Sequence, residues 1–110
     1  MKNYYRQGDI ILIPVEKLPR KATQLYVGKS YVLAKGETTG HRHLLVADEP
    51  ETKIAILKDK KGRMYLKVEN GKALLTHEEH KALEIEPSFY IVRREREFDY
   101  FADMTKSIED

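Results

Sequence analysis

The chain has 110 residues, a length that suits one domain with a single modest core. Apolar residues make up 41% and charged residues 35%, and the net charge of +2 is too balanced to indicate a nucleic-acid binder by itself. There is no cysteine, so disulfides and thiolate metal sites are excluded.

The N-terminal residues "MKNYYRQGD" contain no apolar signal core. The longest strongly apolar run, "IILIPV", is too short to span a bilayer. We therefore expect a soluble cytoplasmic protein with no membrane partner.

Short apolar runs alternate with turn signals along the whole chain, a spacing typical of an all-β protein. The first run, "GDIILIPV", is rich in β-branched residues, and Pro14 places it close to a sheet edge. The turn-rich "KGETTG" precedes the strand expected at 41–47, and "KKG" follows the strand expected at 53–59. We expect these later strands at 25–28, 30–34, 41–47 and 53–59.

A hairpin is predicted in "RMYLKVENGKALLTH". Met64, Leu66 and Val68 recur with a period of two, which marks a half-buried strand. Asn70 and Gly71 supply the positive φ angles that a two-residue hairpin turn needs.

The last two strands are predicted in "KALEIE" and "SFYIVRRERE", which Pro87 separates. Beyond them, Phe98, Phe101, Met104 and Ile108 fall near helical spacing, which predicts a short C-terminal helix.

The expected architecture is one all-β domain over 1–110. It comprises a small barrel or sandwich over 1–97 and a helical tail over 98–110. Exposed edge strands and the apolar tail both offer an interface, so we expect a homodimer.

All four histidines lie in two tight pairs, in "HRH" and in "HEEH". Residues i and i+2 of a strand share a face, so His41 and His43 are expected to aim two imidazoles into one space. His77 and His80 are also close neighbours in the chain. The two pairs therefore predict one shared functional site.

The local structure of the second pair has two alternatives. A bend between strands would bring its histidines together across the turn. Thr76 and Glu79 also match a capping box, which would begin a helical turn and place the histidines three residues apart on one face.

Imidazoles and carboxylates that converge on one point are the ligands of zinc, iron, manganese and nickel. The candidate ligands are the four histidines, and Glu37, Glu78 and Glu79 are further ligands or their hydrogen-bond partners. Three histidines with one open position would be a catalytic arrangement, with Glu37 or Glu79 as the base in hydrolysis, or with iron for oxygen chemistry.

Over about residues 31–92 the chain resembles the cupins, a family of small β-barrels with an H-x-H motif, a following acid and a later histidine. The resemblance implies a metal at the barrel mouth, with His41 and His43 as ligands and His77 or His80 in the place of the later histidine. The next acid, Asp48, comes only in the following loop, and the second cupin motif with Pro-x-Gly is absent.

A second resemblance rests on "RQGD", Thr-Gly-His-x-His and Thr-His-x-x-His. These motifs are similar to those of small uncharacterised prokaryotic and phage proteins, and this resemblance implies no activity.

Two alternatives to a metal protein stay open. A metal-free RNA-binding or RNA-cleaving protein would use two histidines as general base and general acid. Lys35, Arg42 or Arg94 would then bind a nucleotide, RNA or small-molecule substrate through its phosphate. A non-enzymatic accessory or regulatory barrel is the third interpretation.

Two charged stretches favour structural roles. Asp9, in "RQGD", is interpreted as a residue that caps or bends the chain before the first strand rather than a catalytic one. In "RRERE", Arg94 and Arg96 share one strand face. We interpret this stretch as a charged edge strand in preference to an anion-binding edge.

Overall fold

The computed structural model describes residues 4–35 and 41–95. Glu37 and the predicted helix at 98–110 lie outside the described residues. No helix in the two described ranges has the length and apolarity to cross a membrane. The described residues form ten strands: β1 (Tyr5–Gln7), β2 (Ile10–Val15), β3 (Thr23–Gly28), β4 (Ser30–Lys35), β5 (Arg42–Ala47), β6 (Lys53–Lys58), β7 (Met64–Glu69), β8 (Ala73–Thr76), β9 (Leu83–Ile85) and β10 (Ser88–Arg94).

The strands form two antiparallel sheets, which confirms the all-β prediction. The six-stranded sheet has the order β1-β2-β10-β7-β6-β3, and the four-stranded sheet has the order β4-β5-β8-β9. The alternative of a closed barrel is wrong for the described residues. The end strands β1 and β3 of one sheet pair with neither β4 nor β9 of the other, so no continuous hydrogen-bonded ring forms.

One apolar core fills the space that the two sheets share. In β5, β8 and β10, buried side chains alternate with exposed or half-buried ones, as the period of two requires, whereas β2 and β6 each bury three consecutive residues. The six-stranded sheet contributes Ile10, Leu12, Ile54, Ile56, Leu66, Val68, Tyr90 and Val92, and the four-stranded sheet contributes Leu33, Ala34, Leu45, Ala73, Leu75 and Ile85. Burial of this apolar surface holds the sheets together.

The prediction of a hairpin at Asn70 and Gly71 is wrong, although the turn itself forms. Both residues have the expected positive φ, of 66° and 146°. However, β7 belongs to the six-stranded sheet and β8 to the four-stranded sheet, so the turn carries the chain between sheets. Side chains from an earlier loop hold it in place: Glu49 accepts from the backbone N–H of Lys72 at 2.9 Å, and Thr52 donates to the carbonyl of Lys72 at 2.9 Å.

Strand β10 is central in its sheet, with β2 on one side and β7 on the other. The interpretation of "RRERE" as a charged edge strand is therefore wrong for Arg93 and Arg94, which pair with Ile11 and Ile10 of β2. Charged side chains at the end of a central strand need partners or solvent, and this end of β10 lies beside the candidate site.

Leu45→Ala should test the shared core. Leu45 is 0% exposed and belongs to the core cluster. Its truncation leaves a cavity between the sheets, so the free energy of unfolding should fall by about 3 kcal/mol in urea denaturation.

Leu25→Ala is the matched control, because Leu25 is 52% exposed on the end strand β3. It should change the free energy of unfolding by less than about 0.5 kcal/mol. Equal losses in the two variants would contradict the described packing.

Candidate functional site

The pairing of β5 with β8 brings the two histidine pairs together. Leu44 of β5 lies opposite Thr76 of β8 in this antiparallel ladder. The residues just beyond, His43 and His77, therefore meet at the end of the four-stranded sheet. Their ring centroids are 4.4 Å apart.

The other two histidines join the same cluster. The ring of His77 lies 5.5 Å from that of His41 and 4.7 Å from that of His80. The rings of His43 and His80 are nearly parallel, with centroids 6.2 Å apart. The structure thus places all four imidazoles at one end of the molecule.

Residues 78–80 form bends between β8 and β9, so the alternative of a helical turn is wrong. Within this loop, the backbone N–H of Glu79 donates to Nδ1 of His77 at 3.0 Å. A ring nitrogen that accepts a hydrogen bond carries no hydrogen, so neutral His77 carries its hydrogen on Nε2. In this state Nε2 is a donor and is not available as a metal ligand.

Gln7, at the end of β1, connects the two sheets. It is 3% exposed, and its Nε2 donates to the carbonyls of Leu75 and Lys81, both at 2.9 Å. The two N–H bonds of the amide are thereby used. Its Oε1 is left as an acceptor, and the orientation of the amide is fixed.

This amide sets the tautomer of His43, which is 1% exposed. Oε1 of Gln7 lies 3.0 Å from Nδ1 of His43, so Nδ1 must carry the hydrogen that this contact needs. Nε2 of a neutral His43 then carries a lone pair. That lone pair lies 3.2 Å from Oδ1 of Asp9.

The His43 imidazole and the Asp9 carboxyl group both favour the protonation state in which the facing atom is a hydrogen-bond acceptor. Burial and the neighbouring ring of His77 lower the pKa of His43 from its ordinary 6.5, so the imidazole is neutral at pH 7. Burial alone would raise the pKa of Asp9, but the hydrogen bond and charge of Arg94 outweigh it and lower the pKa. The carboxylate is therefore ionised.

Arg94 binds the second oxygen of the Asp9 carboxylate. Its guanidinium donates to Oδ2 of Asp9 at 2.7 Å, and the backbone N–H of Glu95 donates to the Asp9 carbonyl at 2.6 Å. Glu95 also pairs with Arg6 of β1. The end of β10 thus positions the turn between β1 and β2.

Gly8, within that turn, lies directly against two of the imidazoles. It has a φ of +58°, and a Cβ added to it would lie 2.8 Å from Nε2 of His80 and 3.1 Å from Cε1 of His43. Glycine is needed here both for the left-handed backbone and for the close approach of the rings.

Four other predicted residues lie at the rim of the cluster: Lys35, Arg42, Glu78 and Glu79. Glu79 Oε2 is 3.6 Å from Nε2 of His41, and Oε1 of Glu78 accepts from the backbone N–H of Arg42 at 2.9 Å. Lys35 ends β4 and pairs through its backbone with Arg42. Glu37 lies outside the described residues.

Sequence reasoning missed the buried partners of His43. Gln7 and Asp9 are the two residues that contact its ring nitrogens, and Asp9 was interpreted only as a capping residue. The signal was present in "RQGD", a polar tetrapeptide directly before an apolar strand. An uncharged Gln7 at a buried position indicates a side chain with a specific hydrogen-bonding role.

As they are placed, no three or more histidines and carboxylates within residues 4–35 and 41–95 are arranged to hold a metal ion. The atoms present fit a smaller metal-binding unit with two ligand atoms. Nε2 of His43 and Oδ1 of Asp9 form a two-donor edge, whereas His77 as placed does not fit as a ligand.

These features define a two-sheet β domain with a polar cluster at one end, in which a glutamine, an aspartate and four histidines meet. The chain belongs to the family described as Domain of unknown function (DUF8820), whose model matches residues 6–95. This range begins at Arg6 and includes both histidine pairs. No curated protein and no solved structure matches the chain.

Gly8→Ala should disturb the imidazole cluster. The left-handed backbone would cost about 1–2 kcal/mol for alanine, and the contact with the buried ring of His43 would add about 1–3 kcal/mol. Urea denaturation should report the loss, and the His43 ring resonances should shift.

Gly62→Ala is the control that separates the cost of the left-handed backbone from that of the contact with the His43 ring. Gly62 has a φ of +84° but nothing within 4 Å of an added Cβ. It should show the backbone cost alone. A loss in Gly8→Ala no larger than in Gly62→Ala would show that the rings do not press on Gly8.

The protonation state of His43 can be measured directly. In EDTA at pH 7, a long-range ¹H–¹⁵N spectrum should show hydrogen on Nδ1 and none on Nε2. In the unfolded chain, His43 has its ordinary pKa of 6.5, whereas in the folded chain its pKa is lower. The free energy of unfolding should therefore fall as the pH drops below about 6.5.

Proposed function

We propose that this protein binds a divalent metal ion at the edge formed by His43 and Asp9, and that histidines of the same cluster supply the further ligands. The observation that carries the proposal is the 3.2 Å approach of His43 Nε2 to Asp9 Oδ1. Both atoms are acceptors in the favoured states of their groups.

Two acceptors at this distance repel each other unless a metal ion or a shared proton lies between them. Gln7 fixes the hydrogen of His43 on Nδ1, which leaves the Nε2 lone pair directed at the carboxylate. A histidine whose second nitrogen donates to an oxygen is the usual arrangement of a metal-binding imidazole. Here the amide of Gln7 plays that supporting part.

The remaining ligands must come from side chains that can rotate. His80 is exposed, and its Nε2 lies against Gly8, the residue between Gln7 and Asp9. His41 is also accessible, with 21% of its side chain exposed. His77 would need to release the backbone N–H of Glu79 and change tautomer before its Nε2 became a ligand.

One imidazole nitrogen and one carboxylate oxygen suit zinc, manganese, iron or nickel. A metal with three protein ligands keeps one position for water or substrate and supplies a Lewis acid or an activated water there. Hydrolysis and oxygen chemistry both fit this description. The substrate, the homodimer and the cytoplasmic location stay predictions.

A metal-free acid–base site is the second candidate, and the hydrogen bond to His77 favours it. That bond leaves His77 with a hydrogen on Nε2, which can donate a hydrogen bond to a substrate. In this case a shared proton would join His43 to Asp9 as an imidazolium–carboxylate pair. The exposed Arg42, at the rim, would then bind an anionic substrate.

Metal titration separates the two candidates. Protein purified without nickel resin and stripped with EDTA should bind one Zn²⁺ or Mn²⁺ per chain in calorimetry. Asp9→Asn and His43→Gln should each weaken binding more than the roughly 10–100-fold expected for Gln7→Ala, which removes only a supporting partner.

Asp48→Asn is the matched control, because Asp48 is exposed in the loop after β5. It should bind metal as the unchanged chain does. Stoichiometric metal that Asp9→Asn retains at full affinity would contradict the proposed edge. The absence of any metal binding, with His43 doubly protonated at pH 7, would favour the acid–base candidate.

A further inference from the structure

A cavity of about 400 Å³ lies beside the polar cluster and is lined by side chains of both sheets. Its apolar lining comes from Ile10, Leu33, Met64 and Val92, of which all but Met64 are buried. Such a lining suits the apolar or aromatic body of a small molecule.

Apart from Gly62, the rest of the described lining is cationic. Five basic side chains surround the apolar part: Lys58, Lys61, Arg63, Arg93 and Arg94. Within the described part of the chain, no aspartate or glutamate lines this cavity. The cavity therefore joins an apolar surface to a concentration of positive charge.

Two of the five cations are already neutralised. Nε of Arg63 lies 2.6 Å from Oδ2 of Asp59, and Arg94 donates to Asp9. Among the described residues, no carboxylate pairs with Lys58, Lys61 or Arg93. Within residues 4–35 and 41–95, three positive charges therefore face one cavity with no paired carboxylate.

We infer that this cavity binds a small organic phosphate, with the phosphate among Lys58, Lys61 and Arg93 and the apolar body against Met64 and Val92. Three uncompensated cations match a phosphate dianion better than a single carboxylate. The volume lies within the range of about 300–1,000 Å³ that is usual for small-molecule sites.

This site goes beyond the proposed metal site and does not depend on it. The two are neighbours because Arg94 lines the cavity and also donates to Asp9. A phosphate ligand in the cavity would therefore lie next to the polar cluster. Binding measured in EDTA tests the cavity alone, whatever the outcome for metal.

The test uses AMP, adenosine and inorganic phosphate as probes of the full-length protein, by calorimetry in EDTA at low salt. AMP combines a flat ring with a phosphate, whereas each of the other probes has only one of these parts. AMP should bind one per chain, at least about tenfold more tightly than adenosine or phosphate.

Lys58→Gln/Lys61→Gln should weaken AMP binding about tenfold, and Arg93→Gln should weaken it further. The two lysines are exposed, so the double variant should unfold at the same temperature as the unchanged chain. Lys53→Gln is the matched control, because Lys53 is exposed at the opposite end of β6 and does not line the cavity.

Three results would overturn the inference. The first is no binding of AMP, and the second is AMP binding no tighter than that of inorganic phosphate, which would leave the apolar lining without a role. The third is equal AMP affinity in the double variant and in Lys53→Gln, which would show that the charge of this cavity is not involved.

Discussion

The orientation of the Gln7 amide is the constraint on which the site depends. Two backbone carbonyls, of Leu75 and Lys81, take both of its N–H bonds, so only an acceptor oxygen faces His43. The hydrogen of the imidazole must therefore lie on Nδ1, and the opposite nitrogen presents a lone pair to Asp9. One buried amide thus determines what the most buried histidine can do.

The same amide links the site to the fold. Gln7 belongs to β1 of the six-stranded sheet, whereas Leu75 belongs to β8 of the four-stranded sheet. The hydrogen bond between them spans the space between the sheets at the end where the histidines meet. A change that separates the sheets at this end would also release the tautomer of His43, so stability and site chemistry are coupled here.

Much of the fold is predictable from local sequence patterns. The period of two placed Leu66 and Val68 in the core, and turn signals separated most strands correctly. The three-residue strand β1 was missed because it is too short to show a pattern. Strand pairing was not predictable in this way: the Asn70–Gly71 turn has the positive φ angles of a hairpin turn, yet its strands join different sheets, since local φ angles do not determine the partner strand.

The site was predictable only in part because, like strand pairing, it depends on contacts between residues that are far apart in the chain. The spacing of the histidines indicated the cluster, since all four occur in two pairs. The partners of His43 were not accessible to such reasoning, because Gln7 is 68 residues from Leu75 and 74 from Lys81 in the chain. Membership of a family without an assigned function adds no role for these residues, so the chemistry of the His43–Asp9 edge carries the functional argument.

Anomalous X-ray diffraction from crystals grown with Zn²⁺ or Mn²⁺ tests the central claim most directly. We expect one metal peak about 2.0–2.2 Å from both Nε2 of His43 and a carboxylate oxygen of Asp9, with Nδ1 still bonded to Gln7. Direct contact between His43 and Asp9 in the same crystals, with no anomalous peak near either residue, would contradict the account.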